Sequence, residues 1–230
     1  MAVEAVIFDW GGTLTPWRNI DPGEEWRSLA AAVSPEQPDD LAQRLMAAAE
    51  QAWGLSRVEH RSTTFDEICR IAGVTVSDEH AMAYRAFWDH ATYIDPDVPE
   101  LFVRLRASGH RIGVLSNTIW PRHWHEEIFE RDGVLHLLDG AVYTSEIPWT
   151  KPSPQAFLAA MEAVGVHEPS RCVFVGDRTF DDIYGAKNAG MQAVLLPHSD
   201  IPAGQIGHTE GEPDAIIQRL ADLPDTTAGW

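Results

Sequence analysis

Apolar and polar positions along the chain follow two different rhythms. Val3 to Phe8 is a short apolar run broken at Glu4 and closed by Asp9-Trp10-Gly11-Gly12-Thr13, which predicts a buried strand ending in a tight glycine-rich turn. From Pro16 to about Ile94 the character changes. Ala, Glu, Arg and Leu dominate Glu24 to Val33, Asp40 to Trp53, Thr63 to Ala72 and Ser77 to Ala91, with polar or proline-containing breaks between, and this predicts four helices. After Asp95-Pro96-Asp97-Val98-Pro99 the rhythm becomes β-α. A helix reaches Ser108, a strand covers Arg111 to Leu115, a helix lies within Arg122 to Arg131, and a short strand covers Ala141 to Tyr143. Then follow the helix Pro154 to Val164, the strand Cys172 to Val175, the helix Asp181 to Ala189 and the strand Ala193 to Leu196. His198 to Pro213 reads as loop and Asp214 to Leu223 as a last helix.

Strands separated by helices imply right-handed crossovers and a mainly parallel sheet covered on both faces, an α/β three-layer core of Rossmann-like type. The helical block after the first strand is then an excursion. It divides the chain into a core of residues 1 to 15 and 95 to 230 and an all-helical insert of residues 16 to 94. Ligands of open α/β sheets bind beyond the carboxyl ends of the strands, so this insert stands where it covers the site.

Composition narrows the function. The chain has 230 residues, 44% of them hydrophobic, enough for a substantial core. Seventeen basic against 35 acidic side chains give a formal net charge of -18, which opposes binding to nucleic acid or an anionic membrane. No run of about 18 apolar residues spans a bilayer and no secretory leader opens the chain, so a cytoplasmic location is expected. Cys69 and Cys172 read as reduced core thiols.

Three predicted strands end in polar clusters: Phe8-Asp9, Leu115-Ser116-Asn117 and Val175-Gly176-Asp177, the last followed by Asp181 and Asp182. Strand ends of one sheet converge, so Asp9, Asp177 and Asp181 or Asp182 are expected in one pocket. Several carboxylates there cannot all stay ionised without a counter-charge. Mg²⁺, which favours one or two carboxylates, backbone carbonyls and water, is the natural one. Ser116 and Lys151 add a hydroxyl donor and a point positive charge suited to phosphoryl oxygens.

Four elements in this order resemble the haloacid dehalogenase-like superfamily with a helical cap inserted after the first motif. They are Val6-Ile7-Phe8-Asp9-Trp10-Gly11-Gly12-Thr13-Leu14, Leu115-Ser116-Asn117, Lys151-Pro152-Ser153-Pro154-Gln155-Ala156-Phe157, and Val175-Gly176-Asp177 with Asp182, before Gly185 to Met191. The resemblance implies Asp9 as nucleophile of a covalent aspartyl-phosphate, and Ser116 and Lys151 as groups that stabilise the phosphoryl group. It also implies Asp9, the Gly11 carbonyl, Asp177 and Asp182 as Mg²⁺ ligands. Asn117, Thr13 and Arg18 are expected at the substrate, a small phosphorylated metabolite.

One position departs from the phosphatases of that superfamily. They carry a second Asp two residues after the nucleophile as general acid/base, and here that position is Gly11. The gap admits two other family activities and a silent phosphoryl-binding regulatory protein. The phosphonoacetaldehyde hydrolases require a cap lysine for a Schiff base, and the two lysines here, Lys151 and Lys187, both lie outside residues 16 to 94. The 2-haloacid dehalogenases need no metal, whereas this chain keeps Asp177, Asp181 and Asp182. His123 or His125 is a candidate replacement donor, and Glu146 a candidate partner of Lys151. Trp17, Trp53, Arg57, His60 and Arg61 are further candidates for substrate contact.

Overall fold

The computed structural model describes residues 2–18, 20–21, 23–197 and 210–230. Among the described residues six parallel strands form one sheet: β1 (Ala5–Phe8), β2 (Arg111–Ser116), β3 (Gly140–Tyr143), β4 (Cys172–Gly176), β5 (Gln192–Leu195) and β6 (Ala215–Ile216), in spatial order β3-β2-β1-β4-β5-β6. β1 is central and every residue in it is buried, as expected of a strand covered on both faces. Val6 and Phe8 join Val114, Val173 and Val175 against the helix α5 (Val98–Ala107) on one face. Ala5 and Ile7 join Leu115 and Phe174 against α7 (Pro154–Ala163) and α8 (Gly185–Asn188) on the other.

Four helices between β1 and α5 form a separate apolar cluster: α1 (Glu24–Val33), α2 (Pro38–Glu59), α3 (Phe65–Ile71) and α4 (Asp78–Trp88). Trp26, Leu29, Leu45, Phe65, Ile68 and Tyr84 fill it. Ile119, Trp120, Trp124 and Ile128, around the start of α6 (Arg122–Arg131), close it from below. Local chemistry sets two of the helix starts. The Thr64 and Ser77 hydroxyls accept from the N–H groups of Glu67 (3.1 Å) and His80 (3.3 Å), satisfying first-turn donors. None of the described helices is long and apolar enough to cross a membrane.

Three expectations are corrected. Helix α2 runs six residues past Trp53, through Gly54 to Glu59. A mid-helix glycine costs only about 1 kcal/mol, and the last turn is tied to the core by the Ser56 hydroxyl, which donates to Thr150 Oγ1 at 3.1 Å. Thr179–Tyr184 is a π-helical turn rather than regular helix, because the N–H groups of Asp182 and Ile183 both donate to the Arg178 carbonyl at 3.1 Å. The expected helix Asp214 to Leu223 is instead the edge strand β6 followed by a 3₁₀ turn (Leu220–Asp222) and α9 (Leu223–Thr227). Asp214 and Ile217 donate backbone N–H groups to Ala193 (2.8 Å) and Leu195 (3.0 Å), and the Asp214 carboxylate pairs with Lys187 at 2.7 Å. Tertiary pairing overrides helix propensity there. Of the expected loop, 198 to 209 lie outside the described residues.

Candidate active site

Register brings the strand ends together. Phe8 is level with Val114 on one side and Val175 on the other, and Ser116 is level with Tyr143. Asp9, Ser116 and Asp177 therefore leave the same edge of the sheet, and all three are buried. Asp182 reaches them from the π-turn, wholly buried, its second carboxylate oxygen accepting from the Arg178 N–H at 2.9 Å.

Lys151 enters from the loop before α7. Its Nζ donates to Asp9 Oδ1 and to Asp182 Oδ1, both at 2.6 Å, and the side chain is almost wholly enclosed. Burial works against its charge, but Asp182 and Asp9 more than offset that and hold the pKa above the ordinary lysine value. Asn117 fixes the lysine's backbone rather than pointing away from it. Its Oδ1 accepts from the Lys151 N–H at 2.8 Å and its Nδ2 donates to the Lys151 carbonyl at 3.1 Å. Thr13 donates its hydroxyl to Asp9 Oδ2 at 3.4 Å.

Asp177 is the anomaly. Both carboxylate oxygens are buried with no hydrogen-bond partner among the described residues, and Arg178 Nε approaches Oδ2 only to 3.4 Å. Burial first, then the charges of Asp9 and Asp182, raise its pKa well above the carboxylate range. One carboxylate oxygen from each of Asp9, Asp177 and Asp182 lies within 4.8 Å of the others. At Gly12, where φ is +93°, a Cβ would come within 2.6 Å of Asp177 Oδ2, so only glycine leaves this oxygen room. A buried carboxylate with no donor, in a set of hard oxygen atoms, fits a small divalent cation.

Burial pushes Asp9 up to about 6, with Lys151 pulling down and Asp182 pushing up. The sign of the resulting pH dependence follows. Between the ordinary carboxylate value of 3.8 and about 6 the folded protein holds a proton on Asp9 that the unfolded chain does not, so stability falls as pH rises through that window. In EDTA, acidification from neutral pH is expected to raise the unfolding midpoint of the native protein relative to Asp9→Asn, and saturating Mg²⁺ to raise the native midpoint at neutral pH. Parallel curves for the two proteins would show that Asp9 is not the strained carboxylate.

Several expected residues stand elsewhere. His125 is fully buried, stacked on Tyr143 (4.4 Å) and edge-on to Trp10 (4.6 Å), with Nε2 against Thr118 Oγ1 at 3.1 Å. Burial holds its pKa down at about 3, so it is a neutral packing group beneath Trp10. His123 lines a groove on the outer side of α6 with Glu126, Glu127 and Glu130. Glu146 pairs with Arg122 (2.6 Å), not with Lys151. Asp181 is half-buried and outside the carboxylate set, Arg18 is exposed, and Trp17 lies under the Arg178 guanidinium at 4.7 Å. Gly11 is exposed, and a Cβ there would meet nothing within 4 Å.

This sheet order, with a helical block after β1 and four motifs at one sheet edge, defines the class, and the comparisons with known proteins agree. The family profile of haloacid dehalogenase-like hydrolases matches residues 3–190, and the chain belongs to that family. A glyceraldehyde 3-phosphate phosphatase of Methanopyrus kandleri is 28% identical over 97% of this chain and 96% of its own length. That of Methanothermobacter thermautotrophicus is 35% identical, but the match spans 56% of this chain and 57% of that protein. A phosphonoacetaldehyde hydrolase of Bacillus cereus is 31% identical, covering 94% of this chain and 83% of that protein. Among solved structures, a phosphatase from Thermococcus onnurineus superposes with a TM-score of 0.68 at 23% identity, covering 99% of both chains. An L-2-haloacid dehalogenase from Xanthobacter autotrophicus gives 0.65 at 22% with the same coverage. At these identities the two structures establish the shared fold.

Proposed function

We propose that the protein is a Mg²⁺-dependent cytoplasmic phosphatase of small phosphorylated metabolites, with residues 16 to 94 as the cap over its site. The buried Asp177 carboxylate, which accepts no hydrogen bond among the described residues and meets Arg178 only at 3.4 Å, carries this reading beside Asp9, Asp182 and Lys151, because a halide-displacing site has no use for a third acid that needs a cation. In it, Asp9 attacks phosphorus and forms an aspartyl-phosphate, which water then cleaves. Lys151 and Ser116 hold the phosphoryl oxygens, Thr13 orients the Asp9 carboxylate, and Asn117 keeps the Lys151 backbone in place. Asp9, Asp177, Asp182 and the Gly11 carbonyl would hold Mg²⁺, which when bound supplies charge neutralisation for the phosphoryl group. Arg18, exposed just past the first motif, is assigned to the substrate.

The names of the relatives suggest where to look for the substrate. Glyceraldehyde 3-phosphate and phosphonoacetaldehyde are both short phosphorus-bearing aldehydes. Cleavage of the second through a Schiff base is opposed by the lysine positions: Lys151 lies between two carboxylates and Lys187 is paired with Asp214. Phosphate release from an aryl phosphate and from glyceraldehyde 3-phosphate, with Mg²⁺ and with EDTA, tests the reading. The expected result is release that EDTA abolishes. Halide release from a 2-haloacid in EDTA would replace it with the dehalogenase reading, and no turnover of any of these would leave a phosphoryl-binding protein.

A further inference from the structure

A phosphatase with Gly11 beside its nucleophile has no carboxyl there to protonate the leaving oxygen. The histidines of α6 do not supply one, since His125 is sealed beneath Trp10 and His123 faces an outer groove. His60 is placed differently. It ends α2 with φ of +53°, and is the one non-glycine with positive φ among the described residues. Its own N–H donates to the Ser56 carbonyl at 3.0 Å, so the chain turns back from the helix toward the core.

That turn is fastened to the loop that carries Lys151. The Thr150 N–H donates to the His60 carbonyl at 2.9 Å, the Ser62 N–H to the Pro148 carbonyl at 3.2 Å, and the Ser56 hydroxyl to Thr150 Oγ1 at 3.1 Å. The Ser62 hydroxyl donates to the Ile147 carbonyl, and Arg61 bridges Trp149 in antiparallel fashion. His60 is thereby held one residue from Lys151 along the bonded loop. Its ring lies 6.3 Å from Phe180, which stands between Asp177 and Asp182 in the chain. Nδ1 is buried and has no hydrogen-bond partner among the described residues. His60 is thus a half-buried imidazole with one hydrogen-bonding nitrogen unfilled, held between the lysine loop and the acidic turn.

We propose that His60 donates the proton to the leaving oxygen, in place of the missing carboxyl at position 11; this rests on the phosphatase reading above. As Asp9 forms its bond to phosphorus, the bond from phosphorus to the leaving oxygen breaks and its electron pair stays on that oxygen. The imidazolium proton passes to the oxygen, giving the alcohol, the aspartyl-phosphate and a neutral imidazole. Water then attacks phosphorus and gives a proton to the imidazole, the Asp9–phosphorus bond breaks, and phosphate, free carboxylate and imidazolium are restored. The charged groups on the elements around His60 are Arg57, Glu59 and Arg61 on the cap side and Lys151, Arg178 and Asp181 on the core side.

The test is a plot of log kcat/KM against leaving-group pKa for a series of aryl and alkyl phosphates, in the native protein, His60→Asn and His60→Gly. Asn and Gly both accept positive φ, so the turn survives the change. The native plot is expected to be shallow. His60→Asn is expected to lose about 10²-fold on alkyl phosphates and little on aryl phosphates with acidic leaving groups, so the plot steepens. Added imidazole should recover alkyl phosphate turnover in His60→Gly. Adding Gly11→Asp to His60→Asn should recover it too, since position 11 has room for a side chain. Equal loss on every substrate, or no loss, would overturn the proposal, as would a steep native plot. Failure of the native protein to release phosphate from any ester would instead sink the phosphatase reading and this one with it.

Discussion

Asp9→Asn is expected to abolish phosphate release, by at least about 10⁴-fold in kcat, while leaving the fold intact. In the proposed mechanism the Asp9 carboxylate is the nucleophile, and an amide in its place cannot form the acyl-phosphate. Folding survives because Asp9 is a stability cost rather than a support. Burial pushes its pKa up to about 6, so an ionised Asp9 is tolerated near neutral pH only through Lys151 and a cation. The measurement is phosphate release together with acid-quench trapping of phosphoprotein: the native protein should trap label and the variant should not. Turnover within tenfold of native would remove Asp9 as nucleophile and with it the covalent mechanism.

Lys151→Met is expected to damage both activity and stability. The ammonium contacts Asp9 and Asp182 at 2.6 Å each, and it is the cation that lets three acids share one enclosed space. Without it, an uncompensated buried charge costs about 3–5 kcal/mol. Loss of a positive group aimed at developing phosphoryl charge costs about 10²–10³ in kcat. The two losses separate by pH and metal. Since Asp9 and Asp177 are both held above the ordinary carboxylate range, acidification protonates them and the stability deficit shrinks. Mg²⁺ should reduce the deficit at neutral pH without restoring turnover. Urea unfolding at neutral and acidic pH, in EDTA and in Mg²⁺, reads this directly. A variant as stable as native at neutral pH in EDTA would mean that Lys151 is not the counter-charge of the cluster.

Arg18 and Asn117 show how far motif spacing reaches into the site. The motifs place both at the substrate; the structure adds that Arg18 is exposed and that both polar atoms of the Asn117 side chain bind the backbone of Lys151, 34 positions away. The same holds for the Ser56–Thr150 contact, 94 positions apart, which no local pattern announces. The layer of Trp10, His125 and Tyr143 beneath the nucleophile was equally invisible, because its members come from three separate elements.

What the amino-acid order determined by itself was whatever depends on local periodicity and chain direction. Apolar runs buried on both faces specify parallel strands, and helices between them specify crossovers. Parallel strands must deliver Asp9, Ser116 and Asp177 to one edge, since register aligns their ends. Residue order leaves Asp181 or Asp182 open and the family resemblance points to Asp182; tertiary structure supplies the reason, because the π-turn at Arg178 buries the Asp182 carboxylate and leaves its neighbour half-buried. It also decided that 214–223 is not one helix but the short edge strand Ala215–Ile216, a 3₁₀ turn and the start of α9. Hydrogen bonds to β5 and the Lys187–Asp214 pair outweigh a local preference of a few tenths of a kcal/mol per residue, and such long-range partners leave no trace in a window of neighbouring residues.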